Sequence, residues 1–517
     1  MLSSKIELEQ QAWRRWVSLA LSVAMVVGTS LTCIRPLLSK TPWMLFEEDD
    51  FFYYLKVAEN LARGAGSTFN TLVPTNGYHP LWLLVLTAIR EFVHSGRGML
   101  AAVAVMIFAA TIATYVLCRR LLADTGTDAL VANALAIYVA IYSIHVFYGG
   151  MEVILTIPLI FAIALVVQRE EWWTRGFGQS FALGLMIAAM VLSRLDSMLL
   201  ALLLLAGLLT QPELRSRIRL PQMAGLALGV SPIAVYLAVN HHYFHTWTPI
   251  SGMAKQLKAS HLPSSPAWHS LVGKSPAQIV NLLPIAGAIL LLPVLFRRFS
   301  PVQRVVYPAL LVFPFFHILV VSMASDWQLW GWYFYAFRVG LLASLVVFCL
   351  WRPTGQLLRT TAVTLLVCLF SVFQLSRNDR TVGGQDEMYE VAVDVTKFSA
   401  THPGVYAMGD RSGMVGYLLR EPLVQTEGLM MDRDFMTRIA QRMPLREALA
   451  PYHVRYYIGT SPKAYNGCFH ADEPYQAGPQ SPQMKAVFCE QPAATFVHGT
   501  YRTMIFDLAA NPVPGDS

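Results

Sequence analysis

The run EEDDFFYYLK beginning at residue 47 sets four consecutive carboxylates, Glu47, Glu48, Asp49 and Asp50, ahead of a cluster of aromatic residues. Carboxylates in such a run can act as a general base on a hydroxyl. They can also ligate a divalent cation, or cap the helix that FFYYLKVAENLA begins. For Glu47 and Glu48 plain solvation is the simpler reading. Five further polar clusters interrupt the apolar background: NGYHPLW (76–82), GGMEV (149–153), SRLDS (193–197), NHHYFHTWTPISGMAK (240–255) and SDWQLWGWYFY (325–335). They supply the cations Lys255 and Arg194 and the histidines His79 and His245, all able to face a phosphate, with Tyr53 and Tyr78 as hydroxyl donors. Glu152, Asp196, Asn76, Trp82 and Trp332 are the side chains suited to a sugar or an acceptor. Each has a bland alternative. Arg194 and Asp196 can pair with each other, Lys255 can be an ordinary loop lysine, and His79 can neighbour a helix cap. The aromatics of 327–335 can form an interfacial belt. His241, His242 and His245 lack a Cys or Glu at ligand spacing, which argues against a metal there.

The elements that position these clusters are membrane helices. The chain has 517 residues, is 55% hydrophobic and 14% charged, where a soluble domain carries roughly 25% charged residues. Its mean hydropathy is +0.46. Apolar runs near the length needed to cross a bilayer are expected at about 14–34, 98–118, 129–147, 152–168, 177–193, 197–210, 221–240, 279–296, 305–324, 332–351 and 360–376. The first follows Arg14 and Arg15 and shows no small-residue cleavage site, so it reads as a retained span. Arg119, Arg120, Arg215, Arg217, Arg297 and Arg298 fall on the side of the N-terminus, against Arg194, Lys255, Lys258 and Lys274 opposite. The positive-inside rule therefore makes the N-terminus cytoplasmic. All the polar clusters then share the external face, where ionisable groups at membrane depth mark a cavity. The net charge of +7 reflects arginines facing anionic lipid; no basic stripe suggests nucleic acid.

Residues 1–376 read as the transmembrane domain, with 35–97 a long first external loop, and 377–517 as a polar external domain. In the loop, FFYYLKVAENLARG and HPLWLLVLTAIREFV suit interfacial helices, with Pro80 in the first turn of the second. In the tail, VRYYIGT (454–460) and YRTMIFDL (501–508) are strand-like, which suggests a small α/β fold. Cys33, Cys118, Cys349 and Cys368 lie in or at spans. Cys468 and Cys489 share the external domain, and whether they pair is open at this level.

Taken together the motifs resemble the GT-C superfamily of polytopic glycosyltransferases that use polyprenyl-phosphate sugars. The match is to bacterial members with a DD-x-FYYLK…PTNGYHPLW loop, here Asp49 through Trp82. It extends to Gly150-Met151-Glu152-Val153, to Ser193 through Asp196, and to Pro249 through Lys255; GDRSGMVGYLL (409–419) and EGLMMDRDF (427–435) are similar to the family tail. Val153 and Ser251 depart from the usual pattern. The resemblance implies a mainly α GT-C membrane domain of about eleven helices with a small periplasmic α/β domain, in the bacterial inner membrane. It implies an inverting transfer of a monosaccharide from a polyprenyl-phosphate donor to an envelope glycan, lipid or protein acceptor on the periplasmic face. Asp49 would be the base and Asp50 would orient it or the acceptor. Acidic neighbours should raise the pKa of that base. Lys255 and Arg194, helped by His79 and His245, would meet the leaving phosphate. Some relatives use a divalent cation, which Asp49, Asp50 and Glu152 could hold; the expectation here is that none is required. No Gly-rich phosphate loop is present to suggest a nucleotide-sugar donor. The alternatives are a flippase for a lipid-linked sugar and a non-catalytic scaffold.

Overall fold

The computed structural model describes residues 2–38, 48–264, 266, 268–270, 276–351, 385–499 and 501–509. Glu47 and the span expected at 360–376 lie outside the described residues. Among these residues six helices are long and apolar enough to cross a bilayer: Ala12–Leu38, Gly96–Ala123, Ala129–Phe147, Leu220–Phe244, Gln303–Ala324 and Gly331–Trp351. Shorter apolar helices cover Val153–Gln168, Phe177–Ser193 and Leu195–Leu209, and Pro276–Leu295 is a further helix. The protein is a multi-pass membrane protein. Helices are the natural outcome of these runs, since each satisfies its backbone internally where no water is available. Ala129–Phe147 is apolar all round and buried almost throughout, as a central helix must be. Phe177–Ser193 and Leu220–Phe244 approach at glycine. A Cβ added to Gly184 would lie 2.7 Å from the Leu226 carbonyl oxygen and 2.8 Å from the Gly229 Cα, the small-residue packing typical of membrane helices.

The first loop forms the two expected helices, Asp49–Ala62 and Pro80–Phe92. Gly64 and Gly66, with φ of +76° and +87°, turn the chain after the first. That helix does not lie with a free face along the membrane surface, as its amphipathic pattern suggested. Phe51, Phe52, Tyr53, Tyr54, Leu55, Val57 and Ala58 are all buried, because the helix is packed against both Pro80–Phe92 and a helix of the C-terminal domain, Ser412–Leu418.

Among its described residues the C-terminal domain has helix Gln385–Ser399 followed by further helices and eight strands. They are β1 (Val405–Met408), β2 (Leu423–Gln425), β3 (Val454–Thr460), β4 (Lys463–Tyr465), β5 (Cys468–Glu473), β6 (Met484–Phe488), β7 (Ala494–His498) and β8 (Tyr501–Asp507). Five form a mixed sheet in the order β2-β1-β3-β8-β7, parallel across β2-β1-β3 and antiparallel across β3-β8-β7. The remaining three make an antiparallel sheet, β4-β5-β6. Cys468, which opens β5, is disulfide-bonded to Cys489 just beyond β6, so the pairing left open above is made. The domain docks on the first loop through backbone contacts that only glycine allows. A Cβ on Gly77 would sit 1.8 Å from the Leu429 carbonyl oxygen, and one on Gly413 would sit 2.2 Å from that of Asp49.

Candidate functional site

Asp49 and Asp50 stand in the first turn of helix Asp49–Ala62, but neither caps it; the N-cap residue is Glu48, without a side-chain cap. Asp49 instead reaches across to the C-terminal domain. Its carboxylate accepts the backbone N–H groups of Gly413 at 2.6 Å and Met414 at 2.9 Å. Burial pushes its pKa up to about 7, against those two hydrogen bonds and with the help of the Asp50 and Asp410 charges. Asp50 faces open space. Burial raises its pKa too, while the ammonium of Lys255 pulls it down. Tyr53, one turn on, exchanges a hydrogen bond with Ser412 Oγ at 2.9 Å and accepts another from Gln425 at 3.4 Å.

Two cavities meet at Asp50. The larger, about 1510 Å³, runs among the membrane helices past Leu199, Leu202, Val320 and Val321 to Arg194, His79 and Lys255. The smaller, about 840 Å³, lies between the loop and the C-terminal domain, lined by Asp49, Trp330, Asp410, Glu427 and Gln476 among others. Asp50, Tyr53, Lys255, Trp327, Gln328 and Trp332 line both.

Behind the larger cavity the charges are tied together. Arg194, 1% exposed, donates to Glu152 and forks onto Asp196 at 2.9 Å from both Nε and NH2. Asp196 also meets His317 Nε2 at 2.9 Å and accepts the Tyr335 hydroxyl at 3.0 Å. The guanidinium stacks over Tyr333 and Tyr335 at 4.8 and 4.9 Å. Its charge is thus committed to two carboxylates, so the pairing alternative raised above for Arg194 and Asp196 describes the structure, with Glu152 added. His79, the N-cap residue of Pro80–Phe92, accepts the Leu195 N–H on Nδ1 at 3.2 Å, which leaves the proton on Nε2. Burial lowers its pKa and favours the neutral ring. Lys255, the last residue of helix Ile250–Lys255, donates to the Tyr333 hydroxyl at 3.2 Å and lies 5.8 Å from the centre of the Trp327 ring. Burial lowers its pKa, but Tyr333 and Asp50 outweigh that, the net direction is up, and it stays an ammonium.

The cavities therefore gather Asp49, Asp50, Tyr53, His79, Glu152, Arg194, Asp196, Lys255 and Trp332. Four other candidates stand apart. Asn76 braces helix Ile250–Lys255, donating to Thr246 Oγ1 and accepting the Ile250 N–H, both at 3.0 Å. Tyr78 bonds Ser67 at 2.6 Å. Trp82 is fully buried in the core. His245 ends helix Leu220–Phe244 in the left-handed conformation, φ 56°, beside a separate cavity with Asp432 and Arg433. The sequence reading did not single out Asp410, Arg411, Glu427 or Gln476, and it held Trp327 only among the aromatics of 327–335. The signal was present in GDRSGMVGYLL and EGLMMDRDF, matched above only as family tail, which carry Asp410, Arg411 and Glu427. Among the described residues no three His, Cys, Asp or Glu side chains converge to hold a metal ion.

No protein-family model and no curated protein matches the chain. Solved structures do. ArnT from Cupriavidus metallidurans, bound to undecaprenyl phosphate, superposes with a TM-score of 0.55 at 12% identity, over 85% of this chain and 92% of that one. This is the GT-C fold. The archaeal oligosaccharyltransferase AglB from Archaeoglobus fulgidus, in complex with an inhibitory peptide and a dolichol-phosphate, gives 0.49 at 10% identity, over 87% of this chain and 69% of that one.

Proposed function

We propose that the protein is an inverting glycosyltransferase that moves a monosaccharide from a polyprenyl-phosphate carrier to an acceptor hydroxyl at the periplasmic face of a bacterial inner membrane. The observation that carries this reading is the meeting of two cavities at a carboxylate and an ammonium, Asp50 and Lys255. The apolar end of the larger cavity, along Leu199, Leu202 and Val320, suits a polyprenyl chain, and its polar end suits the phosphate and sugar. ArnT, which shares the fold, is seen bound to undecaprenyl phosphate.

The donor phosphate sits against Lys255. Arg194 cannot offer a full charge there, because Glu152 and Asp196 already balance it. Asp50 takes the proton from the acceptor hydroxyl. The oxygen forms its bond to the anomeric carbon from the side opposite the phosphate, which inverts that centre. The carbon–oxygen bond to phosphate breaks, and its electron pair leaves on the polyprenyl phosphate, held by Lys255. The motif resemblance favours Asp49 as the base; the geometry favours Asp50, since both Asp49 oxygens already serve the C-terminal domain.

The test is release of undecaprenyl phosphate from a panel of undecaprenyl-phosphate monosaccharides by protein in lipid nanodiscs, supplied with envelope extract. Release with one sugar, lost in Asp50→Asn, is expected. Binding of a donor without release, together with its movement across a sealed vesicle, would establish a flippase instead.

A further inference from the structure

We infer that the smaller cavity is the acceptor subsite and that it takes the neutral, hydroxyl-rich end of a glycan. This rests on the transfer reading above and names the class of acceptor. The cavity lies between the first loop and the C-terminal domain, open to Asp50 and Lys255. Its walls are those of a sugar site. Trp330 and Trp332 lie parallel, 7° apart with centroids 6.2 Å distant, and indole faces suit the C–H faces of a pyranose. Trp327 is 4% exposed, lines both cavities, and its buried Nε1–H has no partner. An unpaired buried donor is costly, and a sugar hydroxyl would satisfy it.

Hydrogen-bonding groups stand opposite. Gln476 donates from Nε2 to Asp410 at 3.1 Å and from its backbone to Glu427 at 3.4 Å. Burial raises the pKa of Asp410, against Arg411 and Gln476, and raises that of Glu427 well above its ordinary value. An anionic acceptor fits poorly. Glu48, Asp49, Asp50, Asp410 and Glu427 line the space against Lys255 and Arg411, and Arg411 is already paired with Asp410 at 3.4 Å. A peptide would profit from an open strand edge, whereas the nearest edge strand, β2, is buried. Asp410 also borders a small third cleft, lined by Ser461, Lys463, His470 and Tyr475. The rest of the glycan would leave that way, whether it hangs from a lipid or from a free polysaccharide.

The experiment measures calorimetric binding of maltotriose, mannotriose and galactotriose to the whole protein in nanodiscs, beside trigalacturonic acid and a neutral hexapeptide. Transfer kinetics are then run with whichever donor is turned over. A neutral trisaccharide should bind, and Trp327→Phe, which keeps a smaller aromatic ring and deletes the N–H, should weaken it about tenfold. Glu427→Gln should raise the acceptor KM about tenfold while donor KM holds. Attachment of the bound trisaccharide to undecaprenyl pyrophosphate, compared with the free sugar, separates the lipid-borne source from the polysaccharide source. Preference for the acidic trisaccharide or the peptide overturns the inference, as does binding of no neutral sugar or an equal rise in donor KM. Because binding is read without turnover, an inactive protein that still binds the neutral sugar would sink the transfer reading, and the acceptor role with it, and leave a neutral-sugar site.

Discussion

Asp49 and Asp50 are neighbours in sequence with different duties. Asp49 is bound through both oxygens to backbone N–H groups, and Asp50 faces the space where reactants would meet. Asp50→Asn should therefore lower sugar transfer by about 10²- to 10⁴-fold, the usual contribution of a general base. Asp49→Asn should cost much less in turnover and more in heat stability, because an amide cannot accept with both ends. The reverse ranking would return the base to Asp49. The acidic limb of the pH–rate profile reports the same group. Burial raises the pKa of Asp50 and Lys255 restrains it, so activity should climb with pH above the ordinary carboxylate range. In Lys255→Met that limb should move to higher pH, and the rate should fall about 10²- to 10³-fold, as when a charge-stabilising donor is lost. An unmoved limb would mean that Lys255 is not felt at the base. Arg194 is a different case: replacing it with Met strands Glu152 and Asp196 in a buried place, a loss of about 3–5 kcal/mol that thermal unfolding would register whatever happens to catalysis.

Helices and strands were legible in the sequence to different degrees. Ala129–Phe147 was expected at its observed bounds, and Pro80–Phe92 was marked by its proline, because apolar runs and caps are local signals. The tail strands at 454–460 and 501–508 were visible for the same reason. The smaller cavity was not visible. Asp50 and Glu427 are separated by most of the chain, and nothing local to either says that they face one space. Tyr78 and Asn76 misled for the complementary reason: the NGYHPLW run looks like a ligand motif, yet much of it holds the loop and its neighbouring helix in place. The close glycine contacts are also long-range. Gly413→Ala would drive a methyl group against the Asp49 carbonyl, 2.2 Å away as built, and limited proteolysis should then release the C-terminal domain from the bundle. Retained protection would show that the contact yields. The Cys468–Cys489 bond closes a loop with a separation of 21 residues. Replacing both with Ser should cost about 2–4 kcal/mol, read by urea unfolding of the whole protein with and without reductant.

The whole molecule is a membrane bundle and a C-terminal domain with buried acids, Asp49 at their junction and Glu473 within the domain beside Tyr457. Asp49 and Glu473 are raised from 3.8 and 4.5 to about 7, both chiefly by burial. The folded chain therefore holds protons that the unfolded chain gives up between about pH 4 and 7. The stability this provides is fully present below the unfolded values and is lost as pH rises through the folded ones. The melting temperature should be higher at pH 5 than at pH 8, and Glu473→Gln should narrow that difference; a wider difference would contradict the assignment. The anchoring of Asp49 on Gly413 and Met414 also bears on how the protein is made. The first carboxylates leave the ribosome more than 360 residues before the amide groups that hold them. A half-synthesised chain thus has no anchored acid, no second wall, and only part of the lining of the larger cavity. Under the proposed transfer, a nascent chain would stay inactive until Gly413 and Met414 had been made and had docked on Asp49.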